Sequence, residues 1–170
     1  MKKLILLYTW FIRSSLYFLP DQPILMRFRG WLYGFAMPSV GRGFQVSASA
    51  ILRNIVNLNV GDNVYIAPNV VINAIDEISL GSEVMVAFNS VLVSGDHTKI
   101  DGSYRYGKSK LSPIKIGTGS WIGANATILK GVEVGNGTLI AAGSVVPQGV
   151  YPTGVYGGVP AKIINKEARC

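Results

Sequence analysis

The sequence holds one cysteine, Cys170, and one histidine, His97, in 170 residues. A single thiol at the last position excludes a disulfide framework and a cysteine-held metal, and it fits a reducing cytoplasm. One histidine excludes the imidazole clusters that hold a catalytic metal, so no metal is expected. Charge is sparse as well: 15% of residues are charged while 49% are apolar, a balance that excludes disorder. Acids are the scarcer sign, with 9 Asp and Glu against 16 Lys and Arg, for a formal net charge of +7. Such a balance serves solubility, phosphate-bearing small ligands, anionic membranes or nucleic acid. No nucleic-acid recognition motif is present, and the glycines do not form a phosphate cradle between a strand and a helix, so nucleic acid is not expected as a partner. The length suits one domain.

No apolar run reaches bilayer length. In "MKKLILLYTWFIRSSLYFLP" two lysines precede apolar residues as in a signal peptide, but Arg13 interrupts the run and no small-x-small site follows, so the segment is expected to be retained. Residues 1–40 are expected to form an amphipathic helical segment. Trp10, Phe11, Tyr17, Phe18, Phe28, Trp31 and Tyr33 alternate there with Lys2, Lys3, Arg13, Arg27 and Arg29. Two readings stay open: helices lying at an anionic membrane interface, or helices packed on the domain or on a neighbouring subunit.

What the sequence has is a repeat. From Ile116 it reads "IGTGSW IGANAT ILKGVE VGNGTL IAAGSV VPQGVY", each unit opening on an aliphatic residue, with Ser120, Ala126, Val132, Thr138, Ser144 and Val150 in the fifth place. From Val60 an earlier run, "VGDNVY IAPNVV IN", slips by two residues around "AIDEIS" and resumes as "LGSEVM VAFNSV LVSGDH". A period of six fits a short flat strand plus a tight turn, and three such units close a triangular coil. Opening residues then stack into a continuous core, and Gly and Asn relieve the corners. The chain is predicted to be all-β, a parallel β-helix over 41–155 with a loop extruded at 98–115, followed by a C-terminal extension at 156–170 that includes a short helix.

These units, with the closing "VYGGVPAKII", resemble the hexapeptide-repeat acyltransferases and their sugar O-acetyltransferase branch over roughly residues 55–166. The resemblance implies a left-handed coil, a homotrimer with active sites between subunits, and acetyl-coenzyme A as donor. A carbonic-anhydrase-type enzyme on the same coil would need more histidines than one per subunit supplies.

His97 closes its coil where the sixes stop, so its imidazole should lie outside the core. A histidine there can take the proton of an attacking hydroxyl, work suited to its ordinary pKa. In the galactoside and maltose acetyltransferase branch the catalytic histidine precedes the tryptophan of a "WIG" unit by a fixed spacing. His97 and Trp121 match that spacing, so the resemblance makes His97 the general base. Asp96 is a candidate to orient the imidazole. For the donor, the resemblance implies Trp121, Ala124 and Ala142 along the pantetheine channel, Pro147 and Gln148 near the nucleotide end, and Lys162 and Lys166 for phosphates, although the alanines also suit plain corner packing.

The acceptor side departs from that pattern. Ala67 and Ile75 stand where galactoside acetyltransferases have an acceptor-binding asparagine and aspartate, which makes free galactosides poor acceptors. Asn69, Asn73 and Asp76 nearby, with Tyr104 and Arg105 in the loop, are the candidates to bind the acceptor, although each asparagine also suits a corner. With the apolar, basic N-terminus the chain looks more like acetyltransferases of surface polysaccharides or their lipid-linked precursors, in the cytoplasm or peripherally on the inner face of the membrane. Alternatives are N-acetylation of an amino sugar or nucleotide sugar, and a non-catalytic β-helix scaffold.

Overall fold

The computed structural model describes residues 2–165. Two helices, α1 (Lys2–Leu16) and α2 (Pro23–Gly34), precede short strands that stack in parallel into three faces of a β-helix. On the first face Val40, Val60, Leu80, Ile116, Val134 and Tyr151 lie one above another. The second face stacks Val46, Ile66, Val86, Ile122, Ile140 and Tyr156. The third stacks Leu52, Ile72, Leu92, Ile128 and Val146. Up to Val146 these are the opening residues of the sixes, and nearly all of them are buried. The architecture is the parallel β-helix that the period predicts, consistent with a left-handed coil.

The coil starts earlier than the visible repeat, at Ser39–Val40, and runs on through Gln45–Val46 and Ile51–Arg53. Phe44 and Ala50 fill the fifth places there and are buried. The slip around Ile75 is real: the corner between Asn73 and Ile78 is longer, and Ile78 still reaches the core. At the other end the period fails. Tyr151 pairs with Val134 one residue before the next six would open, so Val150, expected in a fifth place, points outward and is 72% exposed.

Buried fifth-place hydroxyls serve the corners, where backbone groups leave the ladders and need other partners. Ser90 Oγ donates to Gly123 O at 2.8 Å and Ser120 Oγ to Gly135 O at 2.8 Å, each reaching the next coil.

Two expectations are corrected. The C-terminal helix is absent over Lys162–Asn165, which form a strand antiparallel to Val155–Gly157. The last coil leaves the backbone of that strand unpaired on one side, and "KIIN" with its β-branched pair suits a strand that satisfies it. The extruded loop is also shorter and more ordered than 98–115. Gly95–His97 and Ser109–Leu111 pair as an antiparallel hairpin, and Ile114 is already back on the first face beside Ile78. Its tip, Ile100 bridged to Ser103, turns on Asp101 and Gly102, both at positive φ (46° and 81°), the Asp-Gly turn that hairpins favour.

The helices close the lower end. Tyr33 of α2 and Ile12 of α1 are buried in one cluster with the first coil, and Met26 of α2 is buried as well. Burial of its hydroxyl raises the pKa of Tyr33 to about 12, with smaller opposing effects from Arg13 and Arg29, so the ring stays neutral in the core. Arg29, 2% exposed, donates to Asp21 Oδ1 at 2.7 Å and to the carbonyls of Val46, Leu19 and Pro20. Asp21 in turn accepts from Ser47 Oγ at 2.6 Å and Ala48 N at 2.9 Å. One ion pair, with its arginine buried, thus joins the turn between the helices to the first coil.

Gly30 sets how closely α2 approaches. A Cβ there would stand 2.2 Å from the Phe44 carbonyl oxygen, so backbone would have to move, whereas at Gly34 it would meet the rotatable Val40 side chain at 2.7 Å. Gly30→Ala is expected to destabilise by about 3 kcal/mol, the upper end for overpacking, and Gly34→Ala to change stability by less than about 1 kcal/mol. Urea unfolding midpoints of the two variants check this; equal effects would show that the close approach does not limit packing.

Candidate active site

Three corners run up the coil, and the one between the third and first faces carries the hairpin. Asp76 N donates to Ser94 Oγ at 2.9 Å, and Ser94 Oγ donates to Asp76 O at 2.8 Å, so the coil below supports the hairpin base. His97 lies opposite Ser109 in the hairpin ladder and is exposed, as the break in the repeat predicts. Asp96 does not orient it. Neighbouring side chains on a strand point to opposite sides, and the Asp96 carboxylate is instead 3.4 Å from the ammonium of Lys130, whose side chain is largely buried on the next coil. The hairpin is thereby tied both below and above.

The acceptor candidates separate. Asn73 and Asp76 lie below the hairpin at this corner; Asn73 Oδ1 accepts from Asn54 Nδ2 at 2.8 Å, and Asp76 Oδ1 accepts from Glu77 N at 2.8 Å. Asn69 lies at the corner between the second and third faces, with φ 59°, where Asn89 (φ 59°) and Asn125 (φ 58°) occupy equivalent bends. That left-handed backbone accounts for all three asparagines without a ligand. Tyr104 and Arg105 are exposed beyond the hairpin tip, and the Arg105 guanidinium lies 5.6 Å from the Tyr106 ring centre.

The donor candidates divide between two edges. Trp121 faces outward on the second face between Met85 and Leu139, and Ala124 and Ala142 follow at the corner leading to the third face. Pro147 and Gln148 instead lie at the hairpin corner, Gln148 against Gly131 beside Lys130. Lys162 is exposed on the closing strand, and Lys166 lies outside the described residues.

Residues 113–148 match the bacterial transferase hexapeptide (six repeats) family. Galactoside O-acetyltransferase of Escherichia coli K12 is 32% identical over 127 residues, covering 75% of this chain and 53% of that protein. Over these stretches the chain is similar to the hexapeptide-repeat transferases. It spans about half the length of the curated relatives it matches. A galactoside acetyltransferase solved with coenzyme A superimposes with a TM-score of 0.83 at 23% identity, over 97% of this chain and 82% of that one. A hexapeptide-repeat acetyltransferase of Vibrio cholerae, solved with acetyl-coenzyme A, gives 0.82 at 24% identity over 96% and 87%. At these identities the superpositions establish the shared fold.

Within one chain, His97 and the Trp121, Ala124 and Ala142 group flank the third face from opposite corners. The fold therefore does not draw them into one pocket by itself. Two residues beside the donor group escaped the sequence reading, Met85 and Phe88, which are exposed and continue the apolar surface of Trp121. Their signal was present in the repeat: each is a large apolar residue at a position whose side chain points out of the coil.

Lys130→Ala is expected to leave global stability within about 1 kcal/mol, since the Asp96 carboxylate is mostly exposed. Amide exchange in Gly95–His97 and Ser109–Leu111 should nonetheless accelerate several-fold as the hairpin loses its upper tie. Unchanged protection would mean that the ladder alone holds the hairpin.

Proposed function

We propose that the chain transfers an acetyl group from acetyl-coenzyme A to a sugar hydroxyl of a surface polysaccharide or its lipid-linked precursor, with His97 as general base. The observation that carries this reading is the position of His97, exposed on an ordered hairpin thrown out from a corner of a transferase hexapeptide coil. Its imidazole takes the hydroxyl proton while the acceptor oxygen forms a bond to the acyl carbon and the carbon–sulfur bond breaks. The proton then passes to the leaving thiolate. The similarity to galactoside O-acetyltransferase supports both the hydroxyl acceptor and the donor.

The residues present suit the donor. Trp121, Met85 and Phe88 offer an apolar wall, Ala124 and Ala142 leave the corner beside it free of bulk, and exposed Lys162 supplies a point charge for phosphate. Because these groups and His97 stand at opposite edges of the third face, the reading includes a homotrimer in which one subunit brings His97 to the donor surface of the next. Asn73 and Asp76 below the hairpin, and Tyr104 and Arg105 beyond its tip, are the acceptor-side groups. Ala67, buried, and Ile75 supply no polar contact where galactoside acetyltransferases carry theirs, which argues for an acceptor other than a free galactoside. The reading places the reaction in the cytoplasm.

The test follows free thiol release from acetyl-coenzyme A against sugars, amino sugars and glycan fragments. An acceptor-dependent signal is expected with hydroxyl acceptors, falling about a hundred-fold or more in His97→Ala. Turnover that survives in His97→Ala overturns the role of the histidine, and preference for amines overturns O-acetylation.

A further inference from the structure

The two helices are apolar on both sides. Their inner residues pack on the coil, yet Ile24, Phe28, Trp31 and Phe35 form a second stripe along the outer face of α2, with Trp31 59% and Phe35 67% exposed. Their rings form a continuous row: Phe28 stacks on Trp31 at 5.9 Å between centres, and Trp31 meets Phe35 edge-on at 4.6 Å. On α1, Leu4, Leu7 and Phe11 follow the same helical spacing and are also exposed, as is Phe18 just after it. The stripes meet, because Leu4 and Phe35 line one open hollow of about 500 Å³. An uncovered apolar face of this kind is uncommon on a soluble surface and marks an interaction site.

Charge identifies what covers it. Residues 1–53 contain seven basic residues and a single acid, Asp21, so this third of the chain carries six of the seven net positive charges. Asp21 is itself paired with Arg29, which removes both from outward electrostatics. Arg27 and Arg42 line a hollow of about 400 Å³ beside Trp31, and Arg13 and Arg53 line another of about 340 Å³ beside Trp10. The Asp62 carboxylate accepts from Arg42 N at 2.6 Å, but the arginines still outnumber the acids there, and aromatic rings flanked by arginines match the headgroup region of an anionic bilayer: rings at glycerol depth, guanidinium groups on phosphates. A second copy of the chain would bring the same positive charge against itself. No helix among the described residues is long and apolar enough to cross a membrane, so the contact lies in the interface plane.

We propose that α1 and α2 form a docking face for an anionic phospholipid bilayer, seating the β-helix by its lower end on the membrane surface. This goes beyond the transfer reaction and stands or falls independently of it. Sedimentation of the full chain with vesicles of phosphatidylcholine alone, and of phosphatidylcholine with phosphatidylglycerol, tests it directly. Binding is expected only to the phosphatidylglycerol vesicles and should weaken with added salt. In Arg27→Gln/Arg42→Gln it should fall about 25-fold, at about fivefold per basic group. Trp31→Ser/Phe35→Ser, whose side chains point away from the core, should bind at least tenfold more weakly while unfolding at the wild-type temperature. Absence of vesicle binding by the wild-type chain overturns the proposal, as does equal binding to both vesicle types. Self-association without lipid that Trp31→Ser/Phe35→Ser abolishes would assign the face to a second copy and also overturn it.

Discussion

Every coil of this molecule is held by the coils above and below it, because a flat strand of two or three residues makes no ladder within its own turn. That constraint governs the sequence and the ends together. It demands an aliphatic residue at each stacked position, as in the column from Val46 through Ile66, Val86, Ile122 and Ile140. It also means that the first and last coils each lack a neighbour. The lower end is covered by α2, seated on Phe44 through Gly30 and locked by the Arg29–Asp21 pair. The upper end is closed by Tyr151 and Tyr156, whose rings meet edge-on at 5.1 Å, and by the antiparallel strand Lys162–Asn165. An edge left open would be a template for further pairing.

The same constraint explains which parts of the fold were legible. The sixes from Ile116 to Val146 repeat because identical neighbours require identical units, and they predict the architecture directly. The first coil was harder to see because its fifth place at Phe44 faces a helix rather than another coil, and an aromatic residue suits that neighbour. The last coil drops a residue before Tyr151 for a related reason, since an aromatic side chain closing the stack need not keep the register of those beneath it. The hairpin carried a local signal in "IDGS", but its limbs show no alternation because neither side of that ribbon is buried. Asp96 illustrates a limit of adjacency in sequence: its partner, Lys130, comes from the next coil.

The site was legible in residue types and not in assembly. A lone histidine at the only long interruption of a regular coil stands out from the sequence, as does an outward tryptophan. What the sequence could not give is that these lie at opposite corners of one face, because both positions read simply as bends in a repeating unit. The triangular section decides it. Three equivalent corners separate the hairpin from the flat apolar face around Trp121 by the width of one face of the coil. Asn69 shows the opposite case, a polar residue fully explained by the backbone angle its corner requires.

Closing a solenoid with a helix pair has a further consequence. A strand that caps the coil inherits the coil's pattern and presents another edge, whereas a helix needs only one side to match the coil and leaves the other free to take a different chemistry. In α2 the inner positions Met26, Gly30 and Tyr33 meet the coil, and the outer positions Ile24, Phe28, Trp31 and Phe35 are available for another partner. Solubility alone would fill those outer positions with charge. Their aromatic character, in the third of the chain that also concentrates positive charge, is what the proposed bilayer contact would use.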